Sequence, residues 1–216
     1  MSSTDMARDL EHLREELGLE VFPALFGHSN GGCIATTYAI LHPNRVEKLI
    51  LMDPEINGDA PTDNFAKFAE KRKDDPVYGP ALQALISASS NPPQTDEEFL
   101  ELLNRILPYY FTDTTKTEVL ANSMEVDRVP LSLWAFLRHA KLDRESPFNH
   151  LAEVHKITAR TLILQGSDDA LCSLQRSAEL QGKIPNSELV VFECGHFPVV
   201  EKPEEFWKAV KTFLSV

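Results

Sequence analysis

Residues 26–42 read FGHSNGGCIATTYAILH, and the first few of them decide how the chain is organised. An apolar run from Val21 to Phe26 closes at Gly27, and a helical pattern then runs from Ser29 until Pro43 stops it. Between the two lies Gly27-His28-Ser29-Asn30-Gly31, of the form G-x-S-x-G, in the strand-to-helix setting that this form needs. A sharp turn there holds the serine in strained dihedrals with its hydroxyl above the sheet. Gly27 and Gly31, two residues to either side, are expected to be tiny because a Cβ would strike neighbouring backbone. Pro23 sits badly inside a strand, so the strand is placed from about residue 23, with the proline at its entry.

Working outward, residues 4–17 read as a helix with Met6, Leu10, Leu13 and Leu17 on one stripe, Thr4 as its cap and Gly18 as its end. Val46 to Met52 is a second strand whose continuous apolar run suits a strand buried on both faces of a parallel sheet. Thr161–Gln165 and Leu189–Glu193 read as the third and fourth strands, with a helix near Leu174–Leu180 between them. A last helix begins at Pro203 and presents Phe206, Val210, Phe213 and Leu214. Residues 54–156 hold no convincing strand but several helical patterns, among them FAKFAEKRK, ALQALISAS, DEEFLELLNRIL and LSLWAFLRHA. Thr95 and Glu98 have the spacing of a capping box, and Asn91-Pro92-Pro93 separates two helices. The expected fold class is α/β, with a mostly parallel sheet of about four strands and helices on both faces. Its core spans 1–53 and 157–216, interrupted by a helical insertion at 54–156.

Composition narrows the partners. The 216 residues are 25% charged and 43% apolar, as in an ordinary globular domain. A net charge of −12 repels phosphate backbones and anionic lipid heads, so neither nucleic acid nor membrane is expected as a partner. No stretch approaches the ~20 apolar residues of a membrane span, and the polar N-terminus has no signal-like apolar region. Cys33, Cys172 and Cys194 are too few and scattered for a disulfide framework or a zinc site, so a reducing, cytoplasmic location is expected.

A serine hydroxyl is a poor nucleophile at neutral pH and needs a base, which needs an orienting acid. Strand three runs into Gly166-Ser167-Asp168-Asp169 and strand four into Cys194-Gly195-His196. Both fall at C-terminal strand ends, as Ser29 does, and sites form at that edge of open parallel sheets. The order Ser29, Asp169, His196 is the Ser…Asp…His order.

With these residues in place, FGHSNGGCIATTYAILHPNRVEKLILMDP resembles the nucleophile elbow, following helix and next strand of the α/β-hydrolase superfamily. TLILQGSDDALCS resembles its acid loop, with the acid three residues after the glycine at Asp169, and ECGHFPVVEKPEEFWKAVKTFL its histidine loop and last helix. The insertion stands where the family carries its cap, and EEFLELLNRILPYYF is similar to the caps of proline-iminopeptidase-like members. The resemblance implies that Ser29 attacks an acyl carbon, that His196 shuttles the proton, and that Asp169 orients the imidazole. It implies the backbone N–H of Asn30 as an oxyanion donor, Asp168 and then Asp53 as fallback acids, and no cofactor or metal. The expected reaction is hydrolysis of an ester, amide or related acyl bond in a small to medium, partly apolar substrate. Acyl transfer on the same triad and a non-catalytic binding module are the alternatives.

The family's fold has eight strands, and only four are found. Nothing upstream supplies the first four or the loop that donates the second oxyanion N–H. The chain is therefore expected to be part of a longer product, to meet a partner or a second copy through the exposed edge of its first strand, or to be a shortened paralogue. The remaining candidates have plain readings. Cys33 and Cys194 are core filler, His28 packs within the elbow, and His139, His150 and His155 are surface residues. Glu97, Glu98 and Glu101 form a solvated helix face, with a substrate amine as their other use. Trp134, Phe136, Tyr109, Tyr110 and Phe111 line an apolar pocket under the cap.

Overall fold

The computed structural model describes residues 1–57, 63–127, 131–145 and 147–215. Four parallel strands, β1 (Leu25–His28), β2 (Lys48–Met52), β3 (Arg160–Gly166) and β4 (Ser187–Phe192), lie side by side in chain order. The helices α1 (Ser3–Glu16) and α2 (Asn30–Leu41) flank β1. Between β2 and β3 the described residues form α3 (Asn64–Arg72), α4 (Tyr78–Ser90), α5 (Asp96–Ile106), α6 (Thr117–Asp127), α7 (Leu133–Glu145) and α8 (His150–Glu153), with short 3₁₀ turns. The chain ends with α9 (Leu174–Lys183) before β4, then α10 (Pro198–Glu201) and α11 (Pro203–Leu214).

The sheet is covered on two faces, and strand alternation assigns each residue to one of them. Leu49, Leu51 and Ile163 pack with Ala35, Tyr38, Ala39 and Leu180 of α2 and α9. Ile50, Met52, Leu162 and Leu164 point the other way, onto Phe206, Val210 and Phe213 of α11. This two-sided burial is why the runs in β2 and β3 are continuously apolar. Phe26 pairs with Ile50 in register, so it shares the α11 face, yet it is 50% exposed. The described residues cover neither that part of the face nor the outer edge of β1.

Several expected boundaries move. Strand β1 starts at Leu25, two residues past Pro23, while Phe22 reaches Val46 only through an isolated bridge. The cap of α1 is Ser2, not Thr4: its hydroxyl accepts from Asp5 N–H, and the Asp5 carboxylate accepts from Ser2 N–H. Gly18 does end that helix, with φ of +64°. The Met6-Leu10-Leu13-Leu17 stripe is not the buried face, since Leu13 and Leu17 are exposed. Ser3, Ala7 and Arg14 are buried instead, and Arg14 is held there by Glu11, which also accepts from the Tyr38 hydroxyl of α2. Thr95 caps α5 by accepting from Glu98 N–H, but Glu98 turns its carboxylate to Gln94 N–H rather than closing a reciprocal box.

Candidate active site

The elbow is built from backbone. Ser29 sits between β1 and α2 with φ 54° and ψ −121°, a conformation that costs a non-glycine residue roughly 1–3 kcal/mol. Three contacts hold it: Ser29 N–H donates to Met52 O at 3.0 Å, and Ser29 O accepts from Glu55 N–H and Gly32 N–H, each at 2.9 Å. Crossing is tight at Gly27, where a Cβ would stand 2.4 Å from Gly31 O. Gly31 itself corrects the expectation, because a Cβ there would meet open space. The second glycine that is needed is Gly32, whose Cβ would lie 2.7 Å from Pro54 Cβ.

The histidine loop and the acid loop are forced together at the ends of β3 and β4. Asp168 N–H donates to Cys194 O and Ser167 N–H to Phe192 O. His196 Nδ1 lies 2.7 Å from Asp169 Oδ2, both residues being buried. The other oxygen of Asp169 accepts from Leu171 N–H at 2.7 Å and Cys172 N–H at 3.1 Å, which fixes the carboxylate's rotation. His196 N–H donates to Tyr110 O, and the Tyr110 ring stands 5.6 Å from the imidazole. His28 packs against His196 with 4.6 Å between ring centres, and its Nε2–H donates to His196 O at 3.0 Å. Burial, helped by the neighbouring His196, pushes His28 down to about 4, so it is neutral at neutral pH.

The sequence-predicted acid and base therefore meet. Ser29 closes no side-chain hydrogen bond with His196 among the described residues, though its side chain acts on the neighbouring Cys172 thiol. Ligand atoms of Cys172, Asp169 and His196 lie within 4.8 Å of one another. Burial first, then Asp169 and Asp53, push the Cys172 thiol well up, so it is protonated at neutral pH. Cys172 was merely one scattered cysteine in the sequence; its place three residues after the acid was the only signal. The backbone N–H of Asn30 begins α2, where no acceptor within the helix is available to it.

Neither fallback acid touches His196 Nδ1 in place of Asp169. Asp168 faces away and pairs with Arg72 of α3, whose guanidinium also stacks on Phe68. Asp53 ends β2 with φ of 42°, fully buried, and faces Asp169 from behind. Two further residues escaped sequence reading. Gln165 donates to Asp53 Oδ1 and Cys172 O. Glu201 accepts from Gly195 N–H with one oxygen and from Thr112 and Asp113 N–H with the other, tying the histidine loop to the helical insertion. A polar residue at the end of an apolar strand is the trace Gln165 leaves in the sequence, and Glu201, at the end of α10, leaves none.

Other expectations divide. Cys33 and Cys194 are buried filler. His155 is exposed, but His150 is fully buried between Asn57 N–H and Thr37 Oγ1, not a surface residue. His139 of α7 is also drawn in, with Nε2 2.8 Å from Asn30 Nδ2. Glu97, Glu98 and Glu101 are exposed, as a solvated face requires. Trp134 and Phe136 are 75% and 51% exposed, while Tyr109 and Phe111 are buried with Phe68, Tyr78 and Phe197. A groove of about 260 Å³ lies between α4 and α5, lined by Ala84, Leu102 and Arg105. It contains none of the triad candidates.

Two groups, His28–Asp53–His196 and Asp169–Cys172–His196, bring three possible metal ligands within 4.8 Å. Several of these donors are already engaged: Asp169 holds His196, Asp53 Oδ1 accepts two protein hydrogen bonds, and Cys172 is a thiol rather than the thiolate a metal takes.

With this geometry in hand, the relatives can be compared. A family model described as alpha/beta hydrolase fold matches residues 1–203. The chain belongs to that family. A 2-hydroxy-6-oxo-6-phenylhexa-2,4-dienoate hydrolase of Comamonas testosteroni is 30% identical over 96% of this chain and 68% of its own length. A 2-hydroxymuconate semialdehyde hydrolase of Pseudomonas putida is 27% identical over 97% of the chain and 69% of its own. Among solved structures, a thermophilic esterase of Thermogutta terrifontis superposes at a TM-score of 0.65, with 25% identity over 100% of this chain and 72% of its own. The hydrolase fold thus accounts for the whole chain, which spans about two thirds of the relatives' length. No helix among the described residues is long and apolar enough to cross a membrane.

Proposed function

We propose that this alpha/beta hydrolase is a serine hydrolase acting on an ester, amide or related acyl bond. The observation that carries the reading is the buried 2.7 Å pair of His196 and Asp169 after β3 and β4, on the same sheet edge as the strained Ser29 after β1. For proton transfer the Ser29 hydroxyl must meet the ring nitrogen of His196 that Asp169 leaves free. Catalytic hydrogen bonds of this kind commonly tighten only when substrate is bound.

In the mechanism, His196 removes the Ser29 proton as the oxygen attacks the carbonyl carbon. Asp169, fixed by two backbone N–H groups, keeps the proton on Nδ1 and stabilises the imidazolium that forms. Asn30 N–H, at the positive end of α2, meets the developing oxyanion. Collapse expels the leaving group with the proton from His196. Water then releases the acyl group by the same steps in reverse; an alcohol or amine in its place would make the reaction an acyl transfer. Helices 64–145 act as the cap over a small, partly apolar substrate.

A second reading of the substrate rests on the relative named as a 2-hydroxy-6-oxo-6-phenylhexa-2,4-dienoate hydrolase: a 6-oxo-dienoate in place of an ester or amide. A fluorophosphonate probe tests the shared step. Wild type is expected to label and Ser29→Ala not to; a folded wild type that stays unlabelled refutes the serine mechanism and leaves a binding role. Turnover of p-nitrophenyl esters against a 6-oxo-dienoate then separates the two substrate classes.

A further inference from the structure

Asp53 is a fully buried carboxyl of the site that the proposed mechanism leaves unused. Oδ1 accepts from Gly166 N–H at 2.7 Å and from Gln165 Nε2 at 2.9 Å. Oδ2 is buried with no donor to accept from. The carboxyl faces that of Asp169 within hydrogen-bonding range, and its oxygens lie within 4.8 Å of nitrogens of His28 and His196. The titratable groups around it are Asp169 and Cys172 from the acid loop, His196 and Cys194 from the histidine loop, His28 from β1 and Glu201 from α10. No lysine or arginine is among them. His28 is neutral, and the two thiols are pushed up by burial.

Two ionised carboxylates cannot face each other in a dry site with no cation between them. Asp169 is bound by three N–H groups, which favour its charged form; Asp53 is bound by two and has an oxygen to spare. The proton therefore belongs on Asp53, where it turns the orphaned oxygen into a donor with Asp169 as its acceptor.

We propose that Asp53 is a positioning residue that stays protonated at neutral pH and donates a hydrogen bond to Asp169, so that the two acids share one negative charge behind His196. Burial first, then the charge of Asp169, hold Asp53 well above the usual carboxylate range, in agreement with this arrangement. The shared proton does two things. It gives Asp169 a fourth hydrogen bond, which locks its orientation toward the imidazole. It also limits the charge that His196 meets to a single unit.

The role rests on the serine-hydrolase reading, but its test does not. Asp53→Asn reproduces the protonated acid: the amide oxygen accepts from Gly166 and Gln165, the NH₂ donates to Asp169, and asparagine tolerates the positive φ. Melting temperatures of wild type and Asp53→Asn are compared from pH 5 to pH 8.5. A protonated buried acid loses stability as pH rises from its unfolded value near 4 toward its raised folded value, and the amide does not. The variant is therefore expected to melt higher than wild type, by a margin that widens with pH. With p-nitrophenyl butyrate, kcat/KM at pH 7 should stay within about threefold, whereas Asp53→Ala should lose roughly 10–100-fold, the usual cost of removing a partner behind a site residue. A variant that fails to fold, melts lower, or gains a margin that does not change with pH overturns the proposal. Absent ester turnover by wild type would strike at the serine reading instead, and the melting series would still decide the state of Asp53.

Discussion

Replacing Gly166 by alanine tests how the acid and histidine loops are held in register. A Cβ at Gly166 would stand 2.0 Å from Gly195 O and 2.7 Å from Cys194 O. Both are backbone atoms, so no side chain can swing away, and an ordinary carbon–oxygen contact requires the two loops to part by about 1 Å. That separation breaks the Ser167–Phe192 and Asp168–Cys194 backbone hydrogen bonds, now 2.8 and 3.1 Å long. Two buried hydrogen bonds at ~1 kcal/mol each, added to ~1–3 kcal/mol for overpacking, give about 3–5 kcal/mol. The displaced loops carry Asp169 and His196, so fluorophosphonate labelling should slow by roughly 10²-fold where fold is retained, as expected for a misplacement of about 1 Å. Urea denaturation measures the first quantity through the shift in midpoint at constant slope. Gly182→Ala is the control, since a Cβ there meets open space within α9 and should cost nothing. A loss below about 1 kcal/mol in Gly166→Ala, with labelling unchanged, would show that the loops are not in the contact on which the reasoning depends.

The elbow glycines should separate. Gly27→Ala drives a Cβ into Gly31 backbone and should prevent stable folding, whereas Gly31→Ala should leave the melting temperature unchanged or slightly raised. Expression and thermal melting of the two variants check this. Asp169→Asn should lower labelling or turnover by about 10⁴-fold, as in other triads, while Asp168→Asn, which disturbs the Arg72 and Lys71 contacts, should stay within tenfold. Comparison of kcat values decides which acid serves His196. His150 is pushed down from 6.5 to about 4 by burial, so the folded state binds its proton later than the unfolded one. Its contribution is complete above pH 6.5 and is lost as pH falls from about 6.5 to 4, amounting to ~3 kcal/mol across that window. His28 acts in the same sense, so the difference between wild type and His150→Gln in denaturation at each pH isolates the term.

The sequence alone was enough for the parallel four-stranded core and for placing Ser29, Asp169 and His196 at C-terminal strand ends, where the structure pairs Asp169 with His196. Both rest on local physics. Continuous apolar runs suit burial on both faces, and the G-x-S-x-G turn gains its meaning from the acid and histidine placed in order at later strand ends. Contacts across the sheet were beyond it. The buried face of α1 follows the Arg14–Glu11–Tyr38 contacts with α2, not the leucine spacing that local periodicity offers. Gly32 rather than Gly31 is confined, because Pro54 arrives from the end of β2. Asp168 and Asp169 are adjacent and chemically alike, and the geometry that sends one to Arg72 and the other to His196 exists only once β3 and β4 pair. The surroundings of Asp53 and Cys172 likewise come from three strand ends. A protonation state is set by what lies within a few ångströms, and sequence separation does not encode that distance.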